Sequence, residues 1–211
     1  MFYHIIWGLV GLIIRALLRL QVLGEDNVPH RGGLVVVSNH VSFIDPILIR
    51  ITIGRPLFFM AKEELFKNRV AGFFLRYFGA FPISRGSGDR KALKQSLKLL
   101  DEGQAVLIFA EGTRSRSGVL RKALPGIALI ATKSRAPVLP MAVMGTEQIQ
   151  GFGGWTLRRP RVKVVFGKPI YLSQVQELDR EELDKRTNLI MGQVASLLPR
   201  EKQGYYEVKV D

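Results

Sequence analysis

The sequence predicts an α/β domain, a mixed and partly parallel central β-sheet flanked by helices, preceded by an N-terminal membrane-associated helix. Three observations carry this expectation. Short β-branched runs alternate with stretches of helical period, as in strand–helix–strand units. Of the 211 residues, 47% are hydrophobic, ample for one substantial core. A turn-rich connector, G-E-D-N-V-P-H-R-G-G at Gly24 to Gly33, separates a strongly apolar start from the remainder. The division expected is residues 1–23 as the helix and residues 24–211 as the domain.

Met1 to Leu20 reads M-F-Y-H-I-I-W-G-L-V-G-L-I-I-R-A-L-L-R-L. Apolar residues cover nearly all faces from Ile5 to Ile14, Tyr3 and Trp7 are placed as interface anchors, and Arg15 and Arg19 share one helical face. A signal peptide carries its positive charge before the apolar core and small residues after it, the reverse of this order. The run is shorter than the ~20 residues of a perpendicular span. The expectation is therefore a helix lying in or dipping into one leaflet, with its arginines at the headgroups of an anionic membrane surface. In either geometry Arg15, Arg19 and Arg31 favour the cytoplasmic face of the cell membrane. The alternative is a helix buried in a soluble core. At most one membrane helix fits ahead of the first strand.

Through the body, Leu34 to Val37 reads as a buried strand. Ser42 with Asp45 three residues on resembles a capping box, and Pro46 suits a first turn, giving a helix over Asp45 to about Thr52. Leu57 to Ala61 is a second strand, and Leu65 to Phe78 an aromatic-rich helix ending at Gly79. Ala80 to Ser84 is a strand leading to Arg85, and Asp89 caps a helix over Arg90 to Leu100. Ala105 to Ala110 is the clearest buried strand. Pro125 to Thr132 is an apolar helix, Val138 to Met144 and Val162 to Phe166 are strands, and an amphipathic helix runs from about Asp179 to Leu198.

Composition removes several chemistries. No cysteine is present, which excludes disulfides, thiolate metal sites and cysteine nucleophiles. Three histidines, His4, His30 and His40, show no metal-ligand spacing, so neither a metal nor a resident cofactor is expected. The net charge of +13 attracts polyanions. Between Arg114 and Lys168 the single acid is Glu147. The aromatic residues stand mostly in apolar helices and not among the basic ones, unlike a nucleic-acid stacking platform, so a nucleic-acid partner is not expected.

In such sheets ligands gather where strands end, and His40, Arg85 and Glu111 to Ser115 each follow a predicted strand directly. A neutral imidazole takes a proton near pH 7, and a carboxylate beside it fixes the tautomer and stabilises the imidazolium. Asp45, one helical turn beyond His40, can fold back to meet it. Alone, the pair reads equally as a capping aspartate near an incidental histidine. Ser38 and Ser42 are close by, yet G-x-S-x-G is absent, so a substrate hydroxyl is the better target for the base. In E-G-T-R-S, the backbone N–H groups, Thr113 and Arg114 can grip a phosphate, with Arg85 as a second guanidinium. Alone, that segment reads equally as a polar turn. The glycine cluster Gly151 to Gly154 is not a dinucleotide fingerprint, and no phosphate-loop motif of the G-x-x-x-x-G-K-[ST] type occurs.

Four segments in order resemble one family. N-H-x4-D at Asn39 to Asp45 is similar to its first motif, G-A-F-P-I-S-R at Gly79 to Arg85 to its second, F-A-E-G-T-R-S at Phe109 to Ser115 to its third, and A-P-V-L-P-M-A-V at Ala136 to Val143 to its fourth. The family is that of the glycerolipid acyltransferases, in its 1-acyl-glycerol-3-phosphate acyltransferase branch, and the resemblance runs from about Gly33 to Ile170. It implies transfer of a fatty acyl group from acyl-CoA or acyl carrier protein to the free hydroxyl of a lysophosphatidate. His40 would deprotonate that hydroxyl and Asp45 would hold the imidazole. Arg85, Gly112, Thr113 and Arg114 would bind the phosphate, Glu111 would shape the loop, Lys122 would add a phosphate contact, and Pro140 would line the acyl-donor side. No covalent enzyme intermediate is implied. Two other readings are acylation of a different lysolipid and a non-enzymatic basic module for membrane surfaces; the second leaves the His40/Asp45 pair and E-G-T-R-S idle.

Overall fold

The computed structural model describes residues 2–84, 90–149, 159–173, 175 and 177–207. Helix α1 (Phe2–Leu17) and strand β1 (Arg19–Leu23) precede β2 (Leu34–Ser38), α2 (Asp45–Thr52), β3 (Leu57–Lys62), α3 (Arg69–Tyr77) and β4 (Ala80–Ile83). Then follow α4 (Arg90–Asp101), β5 (Ala105–Ile108), α5 (Gly126–Ser134), β6 (Val138–Met144), β7 (Arg161–Phe166), α6 (Arg180–Ser196) and the short α7 (Arg200–Gln203). Among the described residues the strands form one seven-stranded sheet in the order β1-β7-β6-β2-β5-β3-β4. Pairing is parallel throughout except between β6 and β7. The mixed, mostly parallel sheet flanked by helices is the architecture the sequence predicts.

Strand β2 lies at the centre and is buried over its whole length. Its side chains alternate between two cores. Leu34 and Val36 face the layer holding α1 and α2, packed with Ile14, Leu48 and Ile49. Val35 and Val37 face the layer of α4, α5 and α6, packed with Leu99, Ile127 and Ile190. Burial on both faces explains why β2 and β5 read as unbroken apolar runs. Because β2, β3, β4, β5 and β6 run the same way, all five deliver their C-terminal ends to one edge of the sheet. That edge carries His40, the Glu111 loop and the turn after β6. Arg55 steadies the approach: its guanidinium donates to the carbonyls of Pro29 and Gly32 in the connector and to Gly103 ahead of β5.

Two boundaries differ from the sequence reading. The N-terminal helix does not extend through residues 1–23: it ends at Leu17, and Arg19–Leu23 is a strand paired with β7 from Arg19↔Arg161 to Leu23↔Val165. Exposure alternates along it, with Leu20 and Val22 turned toward the core. A period of two over five residues was hidden because Leu17 and Leu18 continue the helical period of the preceding run. The predicted helix over Leu65 to Phe78 is broken: Glu63–Phe66 forms a 3-10 turn, and α3 begins only after Asn68. The Asn68 side chain accepts the N–H groups of Val70 and Ala71, both at 3.0 Å, and so caps a new helix. Among the described residues no helix is long and apolar enough to cross a membrane. Helix α1 buries Trp7 and Ile14 against the domain and exposes Leu9, Leu12 and Ile13 on its other side.

Candidate active site

The site is built from the ends of β2, β5 and β6. Beyond β2 the chain turns sharply at His40 and enters α2 at Asp45, whose carboxylate points back along the loop. Asp45 Oδ2 accepts the backbone N–H of Val41 and of Ser42, both at 2.8 Å. The same oxygen lies 2.9 Å from His40 Nδ1. The capping box predicted at Ser42 is therefore half formed: the carboxylate reaches back, while the Ser42 hydroxyl makes no cap. Asp45 Oδ1 accepts the hydroxyl of Thr146, in the turn after β6, at 2.7 Å. The carboxylate is fully buried, whereas His40 keeps 17% of its side chain exposed.

This geometry decides the tautomer. An ionised carboxylate only accepts hydrogen bonds, so Nδ1 carries the proton and donates it to Asp45. The Nε2 lone pair is then free to accept a proton from a substrate. Phe109 stacks on the imidazole, with ring centroids 3.9 Å apart and planes 15° apart, and holds its tilt. Ser38 donates to Asn39 Oδ1 and is buried, as is Ser42, so neither hydroxyl is presented as a nucleophile.

Glu111, at the end of β5, ties this histidine to the neighbouring loop. Its Oε1 accepts the backbone N–H of His40 at 3.2 Å, and its Oε2 accepts the N–H of Arg121 at 2.9 Å. In return, the Ser115 N–H donates to the His40 carbonyl at 2.7 Å. Burial pushes the Glu111 carboxyl above the usual carboxylate range, against the opposing pull of those two N–H groups and the Arg121 charge. Gly112 allows the loop to turn at φ +70°, and a Cβ there would meet Leu124 at 2.9 Å. Thr113 is half-buried in the loop, and Arg114 is exposed.

Of the predicted site residues, the structure thus brings together His40, Asp45 and Glu111 through direct bonds, with Gly112, Thr113 and Arg114 on the adjoining loop. Lys122 is exposed, with its ammonium 5.7 Å above the ring of Tyr205. Pro140 is buried inside the sheet opposite Val37 and accepts from the Gly167 N–H. Arg85, together with Asp89 and Gly151 to Gly154, lies outside the described residues. Among the described residues no group of His, Asp or Glu comes together that could hold a metal ion.

Three supports escaped the sequence reading. Thr146 holds Asp45 from across the sheet; it follows Gly145, whose φ of +90° and contact with the Arg161 carbonyl admit no Cβ. Asn39, noted only as a motif letter, exchanges two 2.8 Å bonds with the backbone of Val143, sewing β2 to β6. The segment around α7 clasps the loop beyond Glu111: Leu120 and Lys202 pair through backbone, Ala123 donates to the Tyr206 hydroxyl, and Lys202 pairs with Glu147. For Thr146 a signal was available, since a hydroxyl directly after a strand meets the same strand-end rule that singled out His40. For the clasp there was none.

A mostly parallel sheet that gathers a paired His40 and Asp45 and the loop after β5 at one edge is the architecture of an α/β enzyme domain. The family model described as Acyltransferase matches residues 19–144, and the chain belongs to that family. It is 31% identical over 164 residues to the 1-acyl-sn-glycerol-3-phosphate acyltransferase of Bacillus subtilis (strain 168), covering 77% of this chain and 79% of that protein. To the protein of the same description from Streptococcus pneumoniae (strain ATCC BAA-255 / R6) it is 29% identical over 213 residues, covering 99% and 78%. The crystal structure of the 1-acyl-sn-glycerophosphate (LPA) acyltransferase from Thermotoga maritima is similar in fold, with a TM-score of 0.71, 26% identity, and coverage of 92% of this chain and 79% of that one.

Two predictions follow from the buried carboxylates. Thr146→Val strips Asp45 Oδ1 of its hydroxyl donor inside the protein, a loss expected to cost about 2 kcal/mol of stability by urea unfolding. If the His40 geometry depends on it, kcat falls roughly tenfold with KM unchanged; wild-type kcat would show that Asp45 holds its place without Thr146. Glu111 has its folded pKa raised, so the folded chain binds that proton more tightly than the unfolded chain does. The group's contribution to stability is therefore greatest below the ordinary glutamate range and declines as pH rises through the window up to the raised value. Glu111→Gln should flatten that decline; equal pH slopes for the two proteins would contradict it.

Proposed function

We infer that this chain moves a fatty acyl group from an acyl thioester, acyl-CoA or acyl carrier protein, to the free sn-2 hydroxyl of 1-acyl-glycerol-3-phosphate, giving phosphatidic acid. The observation that carries the reading is the His40–Asp45 pair, with Nε2 left as a base and the neighbouring hydroxyls of Ser38 and Ser42 buried away from it. The relatives named for this acceptor supply its identity. In the reaction, His40 Nε2 takes the proton of the sn-2 hydroxyl as its oxygen attacks the thioester carbonyl. A tetrahedral adduct forms, the carbon–sulfur bond breaks, and the imidazolium returns the proton to the leaving thiolate. Asp45 stabilises the imidazolium through Nδ1.

The acceptor's phosphate sits on the loop after β5. The backbone of Gly112, the hydroxyl of Thr113 and the guanidinium of Arg114 bind it, with Arg85 and Lys122 as further cations. Glu111 takes no part in the chemistry; it holds the loop and His40 in one register. Pro140 shapes the acyl-donor side from within the sheet. The exposed apolar stripe of α1, Leu9, Leu12 and Ile13, supports a helix lying in one leaflet of the membrane.

His40→Ala is expected to lower kcat/KM by about 10³-fold, within the range of a lost general base, without loss of fold by circular dichroism. Full activity in that variant would sink the mechanism. Arg114→Ala should mainly raise the KM for the phosphorylated acceptor. Mass spectrometry of products from a panel of lysolipids, each offered with acyl-CoA and with acyl carrier protein, identifies acceptor and donor. Preference for an acceptor without a phosphomonoester would overturn the assignment.

A further inference from the structure

The stripe on α3 faces the wrong way for a core helix. Val70, Phe73, Phe74 and Tyr77 recur at the spacing that normally marks the buried side of a helix. Yet Val70 is 67% exposed, Phe73 64% and Phe74 51%. The side turned inward is the one with Gly72, buried and close to the Phe66 carbonyl, and with Leu75, which packs toward the core beside α2. Arg69 and Arg76, seven residues apart, border the stripe, and Lys67 precedes the helix. From Leu65 to Phe78 there is no acidic residue.

This face is joined to α1. Phe73 and Phe74 meet edge to face, Phe74 stacks with Phe78, and Phe78 meets Trp7 of α1 with ring centroids 5.4 Å apart. Helices α1 and α3 lie in the same layer, on the α2 side of the sheet. The α3 face also reaches the catalytic edge: Leu65 and Val70 follow the C-terminal end of β3, which is parallel to the strands that deliver Glu111 and His40.

We propose that the outward face of α3, Val70, Phe73 and Phe74 with Leu65, is a second membrane-inserting surface that enters an anionic leaflet together with α1. The inference rests on the reading of a lipid acceptor. Aromatic rings suit the depth of the headgroup boundary, and the bordering Arg69 and Arg76 suit anionic phosphates. Two helices in one layer hold the catalytic edge at a fixed height above the lipid, so a lysolipid need rise only partly from the leaflet to bring its hydroxyl to His40.

The chain has no cysteine, so Val70→Cys gives a single labelling position. With an environment-sensitive fluorophore there, the full-length protein should show a blue shift on vesicles of equal parts phosphatidylglycerol and phosphatidylcholine, and little on phosphatidylcholine alone. The double variant Phe73→Ser, Phe74→Ser should bind the mixed vesicles at least about tenfold more weakly. It should still acylate a short-chain, water-soluble lysophosphatidate at the wild-type rate. An unshifted label on protein that co-sediments with vesicles would overturn the proposal and leave α1 as the sole anchor. So would a shift that appears without lipid and scales with protein concentration, marking self-association, or one produced by an acidic carrier protein and not by vesicles. Should the serine variants fail to fold, the label decides alone. Absence of acyl transfer in the wild type alongside a shifted label would remove the acyltransferase reading and keep the membrane surface.

Discussion

A carboxylate with no exposed surface must find all its partners inside the protein, because an unsatisfied buried charge costs several kcal/mol. Asp45 is in that position, and its partners define the edge of the sheet where β2 and β6 end. Two backbone N–H groups fix the turn that follows β2, His40 supplies the third donor, and Thr146 brings the end of β6 across to the free oxygen. The histidine is consequently held by the requirement that a buried anion be solvated by protein. Its tautomer follows from the same requirement, since the anion can accept and cannot donate.

Glu111 repeats the device one strand over. It too is buried, and it satisfies its oxygens with N–H groups from His40 and Arg121, so it ties the turn after β2 to the loop after β5. The difference between the two lies in what they touch. Asp45 contacts the imidazole itself; Glu111 contacts backbone only. One orients the imidazole, and the other links the His40 backbone to the loop that carries Thr113 and Arg114. The clasp from α7, through Tyr206 and Lys202, braces the far side of that loop.

Much of this was legible in the amino-acid order, and the parts that were not have a common cause. Strand β2, helix α2 and strand β6 announce themselves through local composition, and N-H-x4-D places base and carboxylate within one helical turn. Local spacing of that kind is what periodicity can report. The Thr146–Asp45 bond spans 101 residues, and Asn39 and Val143 are 104 apart. Its place just past a strand marks Thr146 as a candidate, but no local pattern names Asp45 or Val143 as the partner. β1 was missed for a different reason: five residues of alternating exposure were overwritten by the helical period running into them. For α3 the sequence fixes the apolar stripe, while Asn68 and the close packing of Gly72 decide which way it faces.

The 2.9 Å contact with Asp45 sets His40 as the Nδ1–H tautomer and leaves Nε2 bare. Nitrogen-15 NMR of the imidazole ring measures this directly, with the His40 signals assigned by their loss in His40→Gln. In the neutral ring, a protonated Nδ1 and a bare Nε2 are expected. A ring protonated at Nε2, or one averaging between the two tautomers as a free imidazole does, would contradict it.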